Sequence, residues 1–173
     1  MHRRTGAVIM RRWMLAAVVG LVAIDFEPVR AAPSAPPLTE AGVRAFVARQ
    51  ERAWNARDAG AFFAGFVPTA IFVDQARTPK GELIRYGSST VSQARRQTAR
   101  YFSRTRAVDR TVIERVELSP DRRSARVVGR KTSVADTGGR TRRACALTEQ
   151  ILISTKGQVY SRGQTETAIR CAS

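Results

Sequence analysis

Histidine is nearly absent from this 173-residue chain, in which the only one is His2. Ser-His-Asp and Cys-His catalysis, histidine-ligated zinc and the facial-triad iron site all need histidine in the folded domain. We expect His2 to be removed with a leader segment, so the mature protein lacks these sites. The sequence therefore predicts neither a metal ion nor a cofactor.

Cysteine is also scarce, with only Cys145 and Cys171. In an exported protein an even cysteine count indicates a disulfide, and two separate buried thiols are the alternative. Counting back from a turn at 155–158 places Cys145 opposite Ala168, so a bulge or a bend of the tail must bring Cys171 within reach. We predict a structural Cys145–Cys171 disulfide that holds the last strand of a sheet.

Long hydrophobic runs are missing, apart from residues 13–24 near the amino terminus. This run follows two arginines, ends before a small-residue cleavage site and falls short of the roughly 20 residues that span a bilayer. We predict a signal peptide over 1–31, a proline-rich linker over 32–37 and a single domain over 38–173, located in the periplasm or secreted. A membrane anchor formed by residues 13–24 is the alternative.

Negative charge is sparse: residues 32–173 carry 25 basic and 12 acidic side chains, a net charge of +13, and 22 of the basic ones are arginines. A net positive charge of this size favours the binding of polyanions. The alternative is that the arginines simply cover solvated faces. They are spread along the chain rather than clustered with aromatic residues, and no nucleic-acid-binding motif is present. We therefore expect weak polyanion binding and no specific nucleic acid.

The stretch 43–75 organises the rest of the chain. Apolar residues spaced by three and four predict an amphipathic helix that Thr39 caps. Asp58 can cap a second, aromatic helix, which Pro68 ends because the residue before a proline leaves the α region. A short strand follows, with alternating bulky residues. The positions that carry these patterns are Val43, Phe46, Val47, Gln50 and Trp54 in the first helix, Phe62, Phe63 and Phe66 in the second, and Ile71, Phe72 and Val73 in the strand.

The run AWNARDAGAFFAGFVPTAIFVD resembles the opening of the nuclear-transport-factor-2-like superfamily, which includes the SnoaL-like proteins. The matching positions are Trp54, Asn55, Asp58, Phe62, Phe63, Phe66, Phe72 and Asp74. The resemblance covers about residues 38–170. It implies an α+β cone, but no single activity, because the superfamily includes isomerases, cyclases, dehydratases, epoxide hydrolases, transport adaptors and proteins without known activity.

The order of the remaining segments fits this cone. Ser88, Ser89 or Thr90 can cap a third helix that runs to about residue 104. Four strand-like segments follow, at 108–118, 125–135, 143–154 and 158–170, and turn residues separate them. We predict three N-terminal helices packed in a strongly curved antiparallel β-sheet.

Such a cone has a pocket between its sheet and its helices. Aromatic residues that could form its wall are Trp54, Phe62, Phe66, Phe72, Tyr101 and Phe102. Strand alternation makes Asp74, Glu114 and Glu149 candidates for a catalytic carboxylate with a raised pKa. The alternative for Glu114 and Glu149 is pairing on a solvent-facing part of the sheet with arginines such as Arg130 or Arg126.

Three functions follow from these patterns. The favoured one is an exported, non-catalytic SnoaL-like domain with a pocket for a small apolar ligand or a partner protein. The alternative is a cofactor-free lyase, isomerase or hydrolase that uses a pocket carboxylate as general acid or base. A binder of envelope polyanions is the third. A homodimer is a further expectation.

Overall fold

The computed structural model describes residues 36–172, so the predicted signal peptide and most of the linker lie outside the described residues. The predicted order of elements is confirmed. The helices are α1 (Glu40–Asn55), α2 (Ala59–Ala64) and α3 (Val91–Arg104), and the strands are β1 (Phe66–Arg77), β2 (Leu83–Thr90), β3 (Thr105–Leu118), β4 (Ser124–Thr137), β5 (Arg140–Thr155) and β6 (Gln158–Ile169). No helix within this part of the chain is both long and apolar enough to cross a membrane.

Each helix begins at a polar cap that the sequence indicates. The side chain of Thr39 accepts a hydrogen bond from the Gly42 N–H (3.0 Å), and Asp58 Oδ1 accepts one from the Ala61 N–H (2.8 Å). Thr90 caps α3 in a reciprocal capping box with Gln93. These side chains satisfy backbone donors that have no partner within the helix, which fixes where each helix starts.

The end of α2 differs from the prediction. The helix ends at Ala64, and Phe66 and Pro68 belong to β1 rather than to a helix that Pro68 closes. Proline is tolerated there because the pairing of β1 with β6 jumps from Phe66 to Ile71, so no ladder hydrogen bond is lost at Pro68.

The six strands form one curled, unclosed sheet in the order β2-β1-β6-β5-β4-β3. The predicted meander of four long strands is confirmed, with β3 to β6 pairing antiparallel in sequence order. The pairing of β1 with β6 is parallel, so the sheet is antiparallel in four of its five pairings. A parallel pair needs a long connection, which the segment from β2 to β5 provides.

Three β-bulges interrupt the pleat. Tyr86 in β2, Glu114 in β3 and Arg162 in β6 each stand as an extra residue without a partner across the strand. One extra residue reverses which face of the sheet the following side chains occupy. These bulges therefore decide which polar residues point towards the helices.

The helices pack on the concave face of the sheet through two apolar clusters. The first joins α1 to β4 and β5, and the second joins α2, α3 and the start of β1. Their buried members are Leu38, Val43, Phe46, Ala125, Val127 and Leu152 in the first cluster, and Phe63, Phe66, Ala70 and Ala94 in the second. Phe63, Phe66 and Phe72 contact each other through tilted and edge-on rings.

The Cys145–Cys171 disulfide is present, with a Cα–Cα distance of 5.2 Å. The strand register around it differs from the prediction, because Cys145 lies opposite Ile169 rather than Ala168. The Arg162 bulge causes this one-residue shift. It leaves Cys171 two residues beyond the paired position, where a short bend of the tail closes the bridge.

Candidate functional site

A cavity of about 270 Å³ lies between the inner face of the sheet and the helices. This volume is near the lower end of the range for small-molecule sites. Its apolar lining consists of Val47, Trp54, Phe62, Phe63, Phe72, Ala94 and Val127. Its charged and amide lining includes Glu51, Asp74, Asp109, Lys131, Gln164 and Glu166. We call these two sets of lining residues the aromatic wall and the charged wall.

The aromatic wall is centred on Trp54, at the carboxyl end of α1. Its ring meets the Phe62 ring edge-on, with 5.2 Å between centroids. On its other side it packs against Tyr101 at 6.1 Å and against Phe102 at 4.9 Å. These contacts fix the indole, so the wall is rigid without a ligand.

The structure separates the six predicted wall residues into two groups. Trp54, Phe62 and Phe72 line the cavity. Phe66, Tyr101 and Phe102 are not among the lining residues and pack against the wall instead. Phe63 lines the cavity as well, although the sequence interpretation placed it only in the aromatic helix.

Lys131 is the centre of the charged wall. Its Nζ forms an ion pair with Glu166 and lies 3.6 Å from Asp109 Oδ2. Gln164 Nε2 donates a 2.6 Å hydrogen bond to Glu166 Oε1. Burial lowers the pKa of Lys131, but the two carboxylates outweigh that effect, so its pKa lies above the ordinary value. The ammonium group is therefore charged at any physiological pH.

Asp74 lies on β1 between Gly87 of β2 and Glu166 of β6. A Cβ atom at position 87 would come within 2.9 Å of Asp74 Oδ2, so glycine makes room for this carboxylate. Burial raises the pKa of Asp74, the Glu166 charge raises it further, and Lys131 opposes both. Within residues 36–172 Asp74 forms no ion pair. It is the carboxylate of the cavity best placed to exchange a proton.

Asp109 is held by its backbone. The amide side chain of Asn55 accepts a hydrogen bond from the Asp109 N–H and donates one to the Asp109 carbonyl, both at 2.8 Å. Glu51 Oε2 accepts a 2.5 Å hydrogen bond from the Thr111 N–H. Asn55, part of the motif that suggested the fold, thus fixes a cavity carboxylate on β3.

Three buried polar atoms among the cavity-lining residues have no hydrogen-bond partner in the described part of the chain. They are one acceptor, Asp109 Oδ1, and two donors, Trp54 Nε1 and Gln50 Nε2. Buried polar groups without partners are rare in folded proteins. These three atoms are therefore candidates for direct contact with a ligand.

Glu114 and Glu149 lie away from the cavity. Glu149 accepts a 2.5 Å bond from Arg126, which lowers its pKa, and Glu114 pairs with Arg130 at 2.5 Å. Both carboxylates are about two-fifths exposed, so these pairs lie on the solvent-facing side of the sheet. The alternative interpretation, pairing with arginines on neighbouring strands, matches their positions.

The sequence interpretation missed Asp109, Lys131 and Glu166. Lys131 carried a usable signal, because it alternates along β4 with Val127 and Gly129 on the inward face. Strand alternation would have placed its ammonium inside the cone. Asp109 carried a usable signal too, because it alternates with the buried Thr105 and Ala107 ahead of the Glu114 bulge. Glu166 carried no such signal, since the Arg162 bulge shifts the phase of its strand.

The described residues contain no group of three or more histidine, cysteine, aspartate or glutamate side chains arranged to hold a metal ion. The cavity carboxylates are instead interleaved with Lys131 and with amide side chains. This donor set suits hydrogen-bonding organic groups better than a bare divalent ion.

No protein-family model matches the sequence, and no curated protein matches it significantly. Solved structures do match. A ketosteroid isomerase-like protein from Erwinia carotovora atroseptica has 15% identity and a TM-score of 0.58, covering 76% of this chain and 96% of its own. An NTF-2 like protein of unknown function from Shewanella oneidensis has 11% identity and a TM-score of 0.56, covering 73% and 97%. The beta subunit of benzoate 1,2-dioxygenase from Burkholderia mallei has 14% identity and a TM-score of 0.61, covering 78% and 93%.

These likenesses are structural, because every identity is below 20%. They agree with the Trp54–Asp74 motif, the element order and the curled six-stranded sheet. Residues 36–172 therefore have the fold of the nuclear-transport-factor-2-like superfamily.

Proposed function

We propose that this domain binds a small organic molecule in the cavity, with an apolar body against the aromatic wall and a polar end at the charged wall. The observation that carries the proposal is the presence of both sets of side chains, aromatic and charged, in the lining of one cavity. Small-molecule sites typically combine apolar lining with a few placed polar groups that set orientation. The ligand is thus amphipathic rather than purely apolar.

The proposed binding is non-catalytic. Three of the five charged side chains that line the cavity, Lys131, Asp109 and Glu166, form one ion-paired group. Charged groups that are held in ion pairs can orient a ligand but are poorly suited to release or accept protons. The ring contacts that fix Trp54 likewise favour a rigid binding surface.

A second candidate is acid–base chemistry at Asp74. It is favoured by one observation, the pKa of Asp74 raised by burial and by Glu166. A carboxyl group with a raised pKa beside an apolar wall can protonate or deprotonate a bound substrate. In this case the protein would be a cofactor-free lyase, isomerase or hydrolase.

Native mass spectrometry of the protein isolated from its own host tests the binding proposal. We expect a bound mass in the parent protein. Thr148 and Leu147 offer a matched pair on β5, because only Thr148 lines the cavity. Thr148→Phe fills the cavity and should abolish the bound mass, and Leu147→Phe should retain it. No bound mass in the parent, or equal retention in both variants, would refute the proposal.

The same preparation separates binding from catalysis. On incubation, a non-catalytic domain leaves the retained molecule unchanged. An enzyme converts the molecule to a product of different mass or structure, and Asp74→Asn prevents the conversion. Conversion that depends on Asp74 would replace the binding proposal with the acid–base one.

We further propose that the domain works in the periplasm or outside the cell. The disulfide between Cys145 and Cys171 supports an oxidising compartment. N-terminal sequencing of the cell-associated protein should find Ala32 as the first residue. An intact segment 1–31 would instead indicate the membrane anchor.

A further inference from the structure

We infer that the ligand carries a positive charge, so that the cavity takes a small organic cation such as a protonated amine with an aromatic or alicyclic body. This inference rests on the proposed binding function and specifies the class of its ligand. Three observations support it: the excess of carboxylates in the cavity of a basic protein, the carboxylate oxygens there that have no partner, and the aromatic residues that line the same cavity.

Charge is segregated between the cavity and the rest of the domain. Residues 32–173 hold 25 basic and 12 acidic side chains. The cavity reverses this balance, because it is lined by four carboxylates, those of Glu51, Asp74, Asp109 and Glu166, and by only one basic side chain, Lys131. None of the 22 arginines lines it. A basic protein thus encloses an acidic cavity.

Lys131 does not neutralise this excess. Its ammonium group is engaged by Glu166 and by Asp109 Oδ2. Asp74 forms no ion pair among the described residues, and Asp109 Oδ1 has no hydrogen-bond partner although the residue is only 8% exposed. Carboxylate oxygens accept hydrogen bonds and never donate them when ionised. A ligand that donates hydrogen bonds would satisfy both the Asp74 carboxylate and Asp109 Oδ1.

The aromatic wall favours the same ligand. The aromatic residues Trp54, Phe62 and Phe72 line the same cavity as the carboxylates. Aromatic faces attract ammonium groups through the ring quadrupole, and tryptophan does so most strongly. The same aromatic side chains also pack well against the apolar ring of a ligand. An anionic ligand would meet the negative faces of the rings and an excess of carboxylates.

Three probes with the same benzene ring test the charge: 2-phenylethylamine, 2-phenylethanol and phenylacetate. Calorimetric titration of the purified protein at pH 7 should give an affinity for the amine about tenfold above that for the alcohol, a difference of about 1.4 kcal/mol. Phenylacetate should bind more weakly than the alcohol. The test is stringent, because the net charge of the whole protein attracts phenylacetate and repels the amine.

Asp74→Asn should weaken binding of the amine much more than binding of the alcohol, and so remove most of the preference for the amine. Glu114→Gln is the matched control, since it removes one carboxylate from the outer face, where Glu114 pairs with Arg130. This control should keep the preference. An equal loss in both variants would show that general surface charge sets the preference, which overturns the inference.

The outcomes separate the inference from the binding proposal. If the alcohol or phenylacetate binds more tightly than the amine, the inference that the ligand is a cation is wrong, while the proposal that the cavity binds a small molecule still holds. If none of the probes binds, the charge of the molecule retained from the host decides: an amine supports the inference, and a neutral or acidic molecule overturns it. If no probe binds and no molecule is retained, the binding proposal itself falls.

Discussion

Replacing Lys131 by methionine removes the ammonium group at the centre of the charged wall and keeps a side chain of similar length. The side chain of Lys131 is 19% exposed, and those of Asp109 and Glu166 are 10% and 26% exposed. Removing one partner of a buried ion pair leaves an uncompensated charge and costs about 3–5 kcal/mol. Gln164 still donates a hydrogen bond to Glu166 in the variant. We therefore expect a cost at the lower end of this range, a decrease of about 3 kcal/mol in the free energy of unfolding at pH 7.

Arg130→Met is the matched control. Arg130 is the neighbouring residue on β4, but its side chain lies on the outer face, is 60% exposed and pairs with Glu114. Exposed ion pairs contribute little, so the control should cost about 0.5 kcal/mol. The assay is urea unfolding of the oxidised protein, monitored by far-ultraviolet circular dichroism. The comparison requires that the dependence of the unfolding free energy on urea concentration is the same in all variants.

A second substitution tests whether the cost of Lys131→Met comes from the carboxylates that Lys131 pairs with, Asp109 and Glu166. Adding Glu166→Gln should recover about 1 kcal/mol, because it removes one unpaired charge.

Two results would refute this reasoning. The first is a cost for Lys131→Met no larger than that for Arg130→Met at pH 7. The second is a double variant, Lys131→Met with Glu166→Gln, that is no more stable than Lys131→Met alone. Either would mean that the carboxylates around Lys131 are hydrated well enough to need no counter-charge.

Three further predictions concern other parts of the fold. Asn55→Ala removes both hydrogen bonds to the Asp109 backbone and should lower the unfolding free energy by about 2 kcal/mol; a loss below about 0.5 kcal/mol in urea unfolding would contradict the assigned role. Asp74→Asn should stabilise the protein at pH 7 and have no effect near pH 3, because a carboxyl group with a raised pKa loses its contribution to stability as pH rises from the unfolded-state pKa through the folded-state pKa; a destabilised variant at pH 7 would contradict it. Replacing Cys145 and Cys171 together by serine should cost about 2–3 kcal/mol, since the hairpin already limits the freedom of the closed loop; equal stability of the oxidised parent and the double variant would show that the bridge is dispensable.

Helix starts and turns could be predicted from the sequence because their chemistry is local. Thr39, Asp58 and Thr90 each bond to a backbone N–H three residues ahead. Gly138 and Gly157 adopt positive φ angles in the turns that close two hairpins. Such signals need only neighbouring residues, so the element order and the fold followed from them.

The face of each strand residue was harder to predict, and β3 shows why. Strand alternation groups Val112, Glu114 and Val116 on one face. The structure divides this row at Glu114, because the bulge lies there: Val112 is 56% exposed, while Val116 packs against the core. Alternation assumes an unbroken pleat, and one extra residue inverts it.

The bulge in β6 depends on a contact that is distant in sequence. A Cβ atom at Gly163, just after Arg162, would lie 2.5 Å from the Ile71 carbonyl oxygen, so glycine is required where β6 meets β1. This parallel pairing joins segments about 90 residues apart. The inward direction of Glu166 therefore follows from tertiary packing, and the hairpin turn alone could not reveal it.

The hydrogen bonds from α1 to β3 also bear on self-association. β3 is the last strand of the sheet on its side, and an edge strand offers free N–H and C=O groups to which another chain can add a strand. Asn55 and Glu51 occupy three of these groups, on Asp109 and Thr111. A second molecule could extend the sheet along this segment only by displacing both side chains. The helix that builds the cavity thus also protects the domain against edge-to-edge aggregation.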